Sequence, residues 1–392
     1  MKAVTQRLLA VKYYFRSLMV RPRPDIWLFY INRHQTFEGN IRALWNYCNA
    51  RGEVQTYLID YRGEGRPADV SEAQYVPGGS RREIHLRLRC RYCFISHSQR
   101  LALGKFSLVR SSRLVNLWHG IPIKAIGNLD ERFTNHQFHR EFRKSRRIKL
   151  FSVASVLERS IIAGAFVSEA KKIKVFGLPR NDFLGMPYTE LPGASQQLVM
   201  RARSAKAGRR FLLYAPTFRD YDRSSVGLGK DDLHWLEPLL QRHNALLGIR
   251  PHPRDLDLYR ELIDSSERIV DCSQAVYDDV SCLMREVDLL ISDFSSIWVD
   301  YLLLDRPIVF YAWDLQRYME SRGFAVPFDR VLPSDFSETT EQLQGALEEA
   351  LREDAPVPAR QQWVKGLFHQ YPDFGSCARL YRYLQDWTEA ET

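Results

Sequence analysis

Five short stretches of this chain gather groups that move protons or hold phosphate, each directly after an apolar run: Trp118-His-Gly-Ile-Pro-Ile-Lys124, Gly177-Leu-Pro-Arg-Asn-Asp182, Ala215-Pro-Thr-Phe-Arg-Asp220, Arg250-Pro-His-Pro253 and Ser292-Asp-Phe-Ser-Ser296. An imidazole accepts a hydroxyl proton near neutral pH, so His119, in a tight loop set by Gly120 and Pro122, has the chemistry of a general base toward an alcohol. A histidine that caps the strand end through a backbone hydrogen bond is the alternative. Arg219, Arg250 and His252 follow neighbouring predicted strands and together suit the oxygens of a pyrophosphate. Ser295 and Ser296 open a predicted helix over Ile297–Leu304, whose free amides and positive dipole end attract phosphate; N-capping is an equal and compatible role. These groups imply a catalytic cleft for an anionic substrate without fixing the reaction.

Such clusters act together only if a scaffold collects strand ends, and an open α/β sheet does this, binding ligands outside the carboxyl ends of its strands. Apolar runs at 26–31, 54–59, 92–96, 114–118, 150–153 and 173–176 predict strands, with helices over 40–50, 137–147 and 156–166. A second series has strands at 211–214, 246–249, 268–270, 289–292 and 308–311, and helices around Leu233, Leu256, Val280 and Ile297. Between the two series, 185–206 carries proline, glycine and serine without a strong period and reads as a boundary. The expected fold is α/β, with two doubly wound Rossmann-like domains over 25–190 and 207–392 and a cleft between them, the second domain including the C-terminal helices.

A length of 392 residues exceeds one ordinary core, and 45% hydrophobic with 26% charged residues excludes disordered and membrane-spanning classes. No apolar run approaches the roughly 18 residues of a spanning helix and no signal-peptide pattern opens the chain, so a cytoplasmic location is expected. The net charge of +9 calls for an anionic partner. A nucleic-acid binder would show a basic stripe interleaved with stacking aromatics, whereas here Arg140, Arg143, Lys144, Arg146, Arg147 and Lys149 crowd one segment. That segment, with Lys124, is read as acceptor or membrane contact. Within residues 1–24, Val4, Leu8, Val11, Phe15, Leu18 and Met19 recur at helical spacing beside Lys2, Arg7, Lys12 and Arg16, before Arg21-Pro-Arg-Pro stops the helix. This basic amphipathic helix either lies in a membrane interface or packs on the domain. The six scattered cysteines read as free thiols; neither Cys90-x-x-Cys93 nor His136-x-x-His139 has companion ligands, so no metal site is expected.

In their order, Leu117-Trp-His-Gly-Ile-Pro-Ile-Lys124, Gly177 to Asp182, Leu213-Tyr-Ala-Pro-Thr-Phe-Arg-Asp220 and Ile291-Ser-Asp-Phe-Ser-Ser-Ile-Trp-Val-Asp-Tyr301 resemble the signatures of the CDP-glycerol glycerophosphotransferases, which build teichoic-acid and related capsular polymers. The resemblance spans roughly 114–323 and is weak before Leu114. It implies a GT-B-like arrangement, with the N-terminal half receiving acceptor and the C-terminal half holding the CDP donor, on the inner face of the cell membrane. It implies His119 as catalytic base, Asp182 as a second catalytic position, and Arg180, Thr217, Arg219, Arg250, His252, Asp293, Ser295 and Ser296 as donor-binding residues. Two positions depart from the family's habit, Ile121 for threonine and Phe294 for tyrosine, and neither removes a group the mechanism requires.

The expected reaction has His119 deprotonate an acceptor hydroxyl, which attacks the donor's β-phosphorus and expels CMP while cations and helix amides stabilise the phosphates. The implied partners are CDP-glycerol or CDP-ribitol, a lipid-linked or polymeric glycan acceptor and the cytoplasmic membrane surface, with no nucleic acid. No cofactor is required, since the CDP-polyol is a substrate; dependence on a divalent metal is left open. The rival reading is a GT-B glycosyltransferase that uses a nucleotide sugar.

Overall fold

The computed structural model describes residues 2–32, 36–97, 104–106, 109, 112–219, 221, 226–321, 323–353 and 355–387. The chain forms two compact units, one of Met1–His119, Arg132–Phe183 and Asp373–Thr392, the other of Gly120–Glu131 and Leu184–Pro372. Neither unit is one contiguous stretch as the sequence suggested, and the last residues belong with the first unit.

The first unit has seven parallel strands, β1 (Arg23–Ile31), β2 (Gln55–Asp60), β3 (Tyr75–Pro77), β4 (Cys90–Ile95), β5 (Arg113–Asn116), β6 (Ile148–Val153) and β7 (Ile173–Val175), in the order β3-β2-β1-β4-β5-β6-β7. Strands buried on both faces read as continuous apolar runs, as Ile26–Ile31 does. The helices that matter below are α1 (Lys2–Leu18), α2 (Gly39–Arg51), α3 (Arg81–Arg89), α4 (Asn135–Ser145) and α5 (Val156–Phe166). Ser155 caps α5 by accepting from the Glu158 amide, and Gly52, at φ 67°, ends α2 in the left-handed conformation that glycine adopts freely. The segment read as a boundary is mostly helix, α6 (Gly193–Lys206), in the second unit. Its buried stripe is Ser195, Val199 and Ala202, too small and polar to register as an apolar period.

The second unit has six parallel strands, β8 (Arg210–Ala215), β9 (Ala245–Ile249), β10 (Ile269–Asp271), β11 (Leu289–Ser292), β12 (Ile308–Tyr311) and β13 (Phe336–Ser337), in the order β10-β9-β8-β11-β12-β13. Both sheets therefore have the doubly wound order, with a switch point between β1 and β4 in one and between β8 and β11 in the other. Helices α7 (Leu233–Arg242), α8 (Leu256–Ile263), α9 (Val280–Met284), α10 (Ile297–Tyr301) and α11 (Thr340–Ala350) belong to this unit. The excursion Gly120–Glu131 joins it by two backbone hydrogen bonds, Ala125 to Gly323 and Ala325 to Ile123, each 2.8 Å.

Helix α12 (Ser376–Asp386) returns to the first unit for a physical reason. Each carboxylate oxygen of Asp182 accepts one N-terminal amide, from Ser376 at 2.8 Å and Cys377 at 2.7 Å, while Arg91 and Arg113 both donate to the Trp387 carbonyl at 2.8 Å. The helix thereby satisfies amides that have no partner within it.

Candidate functional site

In the first unit the polar residues cluster at the exits of β4 and β5. The chain leaves β5 through Trp118, at φ 51°, and Gly120, at φ 152°, a sharp turn that lifts His119 off the sheet edge. Asn40 of α2 fixes this turn. Its amide donates to the carbonyls of Leu117 and Trp118, at 2.9 and 3.0 Å, and its oxygen accepts from the Arg180 amide at 3.0 Å. Arg180, read as a donor ligand, donates through Nη1 to the His119 carbonyl at 2.6 Å and so buttresses the histidine loop of the first unit.

The His119 Nδ1 lies 3.1 Å from the Ser96 carbonyl, which can only accept, so Nδ1 carries the proton and Nε2 keeps its lone pair. The residue as a whole is exposed to solvent. Desolvation at its crowded side lowers its pKa below the ordinary histidine value; the Ser96 bond opposes this and the Arg180 charge adds to it. The strand-cap and base readings are thus the same geometry, one nitrogen anchored and the other presented.

Asp182 corrects the expectation of a second catalytic carboxylate. Both oxygens are taken by α12 amides and the residue is 5% exposed. Burial raises its pKa to about 6 against the pull of those amides. Its job is to hold α12.

In the second unit, the exits of β8 and β11 meet at the switch point. Asp293 is buried and accepts from the Thr217 amide at 2.9 and 3.0 Å. Arg219 pairs with Asp293 at 2.9 Å and, bidentately, with Asp314 at 2.6 and 2.8 Å, beneath Trp313, Phe294 and Tyr318. Burial alone would lower the arginine's pKa, but the two carboxylates raise it further. Arg219 and Asp293, both read as donor ligands, are therefore engaged with protein: at 4% exposure the guanidinium is a brace for the switch-point loops. Asp314, missed in the sequence, follows β12 as the other polar clusters follow their strands, and that spacing was the available signal.

The other residues read as donor ligands in the second unit are Thr217, His252, Arg250, Ser295 and Ser296. Thr217 Oγ1 is buried without a hydrogen-bond partner among the described residues. His252 is exposed, and its Nδ1 accepts from the Arg254 amide at 3.2 Å, so the neutral ring carries its proton on Nε2 and can donate it, the reverse of His119. Desolvation lowers its pKa, Asp255 raises it, and the nearby charges of Arg254 and Lys124 lower it again. Lys124, read as an acceptor or membrane contact, lies within electrostatic reach of His252. Arg250 donates through Nη1 to the carbonyls of Cys272 and Tyr277, both 2.9 Å, which ties down the loop after β10. Ser295 Oγ accepts from Ile297 at 3.4 Å, and Ser296 precedes α10 without a side-chain capping bond. The predicted Ile297–Leu304 helix is five α residues followed by a 3-10 turn. Among the described residues no group of three or more His, Cys, Asp or Glu could hold a metal ion.

Arg143, Arg146 and Arg147 are exposed on or just after α4, as are Phe138 and Phe142, whose rings stack 6.3 Å apart; the Lys144 side chain lies outside the described residues.

Two parallel-sheet Rossmann-like units with basic and hydroxyl groups at their strand exits define a GT-B-like fold. The fold agrees with solved structures: the wall teichoic acid polymerase TagF superposes with a TM-score of 0.76 at 18% identity over 97% of this chain and 93% of that one. A glycosyltransferase from Rickettsia africae gives 0.51 at 12% identity over 93% and 99%. The family model described as CDP-glycerol:poly(glycerophosphate) glycerophosphotransferase matches residues 12–386, and the chain belongs to that family. It is 26% identical to a teichoic acid poly(glycerol phosphate) polymerase of Bacillus spizizenii over 87% of this chain and 88% of the relative. It is likewise 26% identical to a teichoic acid glycerol-phosphate transferase of Staphylococcus aureus over 86% of each.

Proposed function

We propose that this glycerophosphotransferase moves glycerol phosphate from CDP-glycerol to a hydroxyl of a membrane-linked glycan or polyol-phosphate polymer, with His119 as base and CMP as leaving group. The observation that carries the reading is the anchored Nδ1 of His119, which leaves an unprotonated Nε2 at a strand exit. As the acceptor oxygen bonds to the β-phosphorus, its proton passes to Nε2 and the bond from that phosphorus to the CMP oxygen breaks. A positioned base contributes about 10²–10⁴ in rate. His252 Nε2–H, the Thr217 and Ser296 hydroxyls and the Lys124 charge are the groups suited to the donor phosphates.

Two helices support contact with the inner membrane surface. Helix α1 packs through Tyr13 against Leu88 and Phe106 while leaving Leu8, Val11, Phe15 and Leu18 exposed at 67, 45, 59 and 58%, flanked by exposed Arg7, Lys12 and Arg16. One face of this helix packs on the first unit, and the opposite, exposed face is the one suited to a membrane interface. Phe138 and Phe142 with the arginines of α4 give a second apolar and cationic surface. No helix among the described residues is long and apolar enough to cross a membrane.

The test is CMP release from CDP-glycerol and CDP-ribitol, against UDP- and GDP-sugars, by wild type and His119→Ala with membrane extract as acceptor. CMP formed by wild type and lost in the variant supports the proposal; turnover of a nucleotide sugar alone overturns it in favour of a glycosyltransferase.

A further inference from the structure

His97 is absent from every motif above, yet it makes the closest ring contact with the proposed base. It is the second residue past β4, at the switch point with β1, where open α/β sheets take their ligands. Its ring stacks on His119 with centroids 4.0 Å apart and planes 10° apart, and its Nδ1 lies 3.1 Å from Ser96 Oγ. Consecutive residues therefore hold the imidazole in two ways: the Ser96 carbonyl accepts the Nδ1–H hydrogen bond and the His97 ring covers one face. The hydrogen bond alone leaves His119 free to rock about the Nδ1···O axis. A parallel ring at van der Waals distance removes that freedom.

We propose that His97 is a positioning residue that holds the His119 ring so that Nε2 meets the acceptor hydroxyl. The inference rests on His119 being the base. Among the described residues, His119 also meets Trp118, whose ring is 4.5 Å away, and Arg180, which donates to the His119 carbonyl; the Asp182 carboxylate is turned to the amides of α12. None of these pairs with an imidazolium. Burial and the His119 charge drive His97 down to about 3, so it stays neutral at working pH and does not compete for the proton.

The experiment compares wild type, His97→Phe and His97→Ala by the pH profiles of kcat and KM for CMP release from CDP-glycerol, with 15N NMR of the His119 tautomer and a thermal melt of each protein. Misplacing a base lowers kcat by about tenfold to a hundredfold, so His97→Ala should fall by that much with the CDP-glycerol KM within about twofold. Its acid limb should rise toward the ordinary histidine value and its His119 should show mixed tautomers. His97→Phe keeps the stacked plane without nitrogens and should restore kcat, acid limb and the Nδ1–H tautomer. A folded His97→Ala with wild-type kcat, limb and tautomer overturns the proposal; so does a folded His97→Phe as impaired as the alanine variant, since the nitrogens would then be required. If His119→Gln stays fully active, the base assignment fails instead, and the His119 tautomer in His97→Ala still reports on positioning.

Discussion

Replacing Asp182 by asparagine separates a carboxylate that takes part in chemistry from one that holds a helix. In the structure its two oxygens accept the first amides of α12 at 2.8 and 2.7 Å, and burial raises its pKa from 3.8 to about 6. A carboxyl whose folded pKa lies above its unfolded value is one that folding prefers protonated. Its contribution to stability is fully present below about pH 3.8 and is lost as the pH rises through about 6. The gap between 3.8 and about 6, at 1.36 kcal/mol per pH unit, corresponds to about 3 kcal/mol, and 5% exposure leaves little solvent screening to reduce it. Asparagine keeps one acceptor oxygen and does not titrate. The stability of wild type minus that of Asp182→Asn should therefore fall by about 3 kcal/mol between acid and neutral pH. Urea unfolding of both proteins across that range measures it, and kcat for CMP release should stay within about threefold. A stability difference that is flat in pH, together with a hundredfold or larger loss of kcat (about 2.7 kcal/mol of barrier), would refute the helix-holding role and return Asp182 to catalysis.

Arg219→Ala leaves Asp293 and Asp314 without their cation and should cost about 3–5 kcal/mol, seen as a lower urea midpoint; unchanged stability with a raised KM for CDP-glycerol would make Arg219 a phosphate ligand after all. Thr217→Val removes a buried hydroxyl that bonds nothing among the described residues, so stability should hold within about 1 kcal/mol while the CDP-glycerol KM rises about fivefold to tenfold. An unmoved KM would exclude Thr217 from the donor. Joint Val11→Asp and Phe15→Asp substitution should weaken sedimentation with anionic vesicles by about tenfold or more without changing the melt; equal binding would show that α1 does not face lipid. On the proposed reading, in which Lys124 and His252 meet the donor phosphates, chelation should leave CMP release intact; loss restored only by magnesium would require a divalent ion.

The β-α alternation, the two parallel sheets and the strand-exit clusters were all legible in the chain, because strands buried on both faces need uninterrupted apolar runs and ligand groups can only follow their carboxyl ends. His119 was legible for the same reason. The order of strands, which puts the exits of β8 and β11 side by side, was not, since parallel neighbours are far apart in sequence. Charged residues were the hardest to assign. Arg219 and Asp182 sit at strand-exit clusters as ligands would, but only the fold supplies Asp314 to one and the α12 amides to the other, after which both are satisfied by protein. His97 carries no motif at all. Its contact with His119 comes from the pairing of β4 with β5, which brings the two strand exits together and lays one imidazole on another. Local sequence determined which groups are present and at which element ends; long-range pairing decided which of them are neutralised and which are left to act.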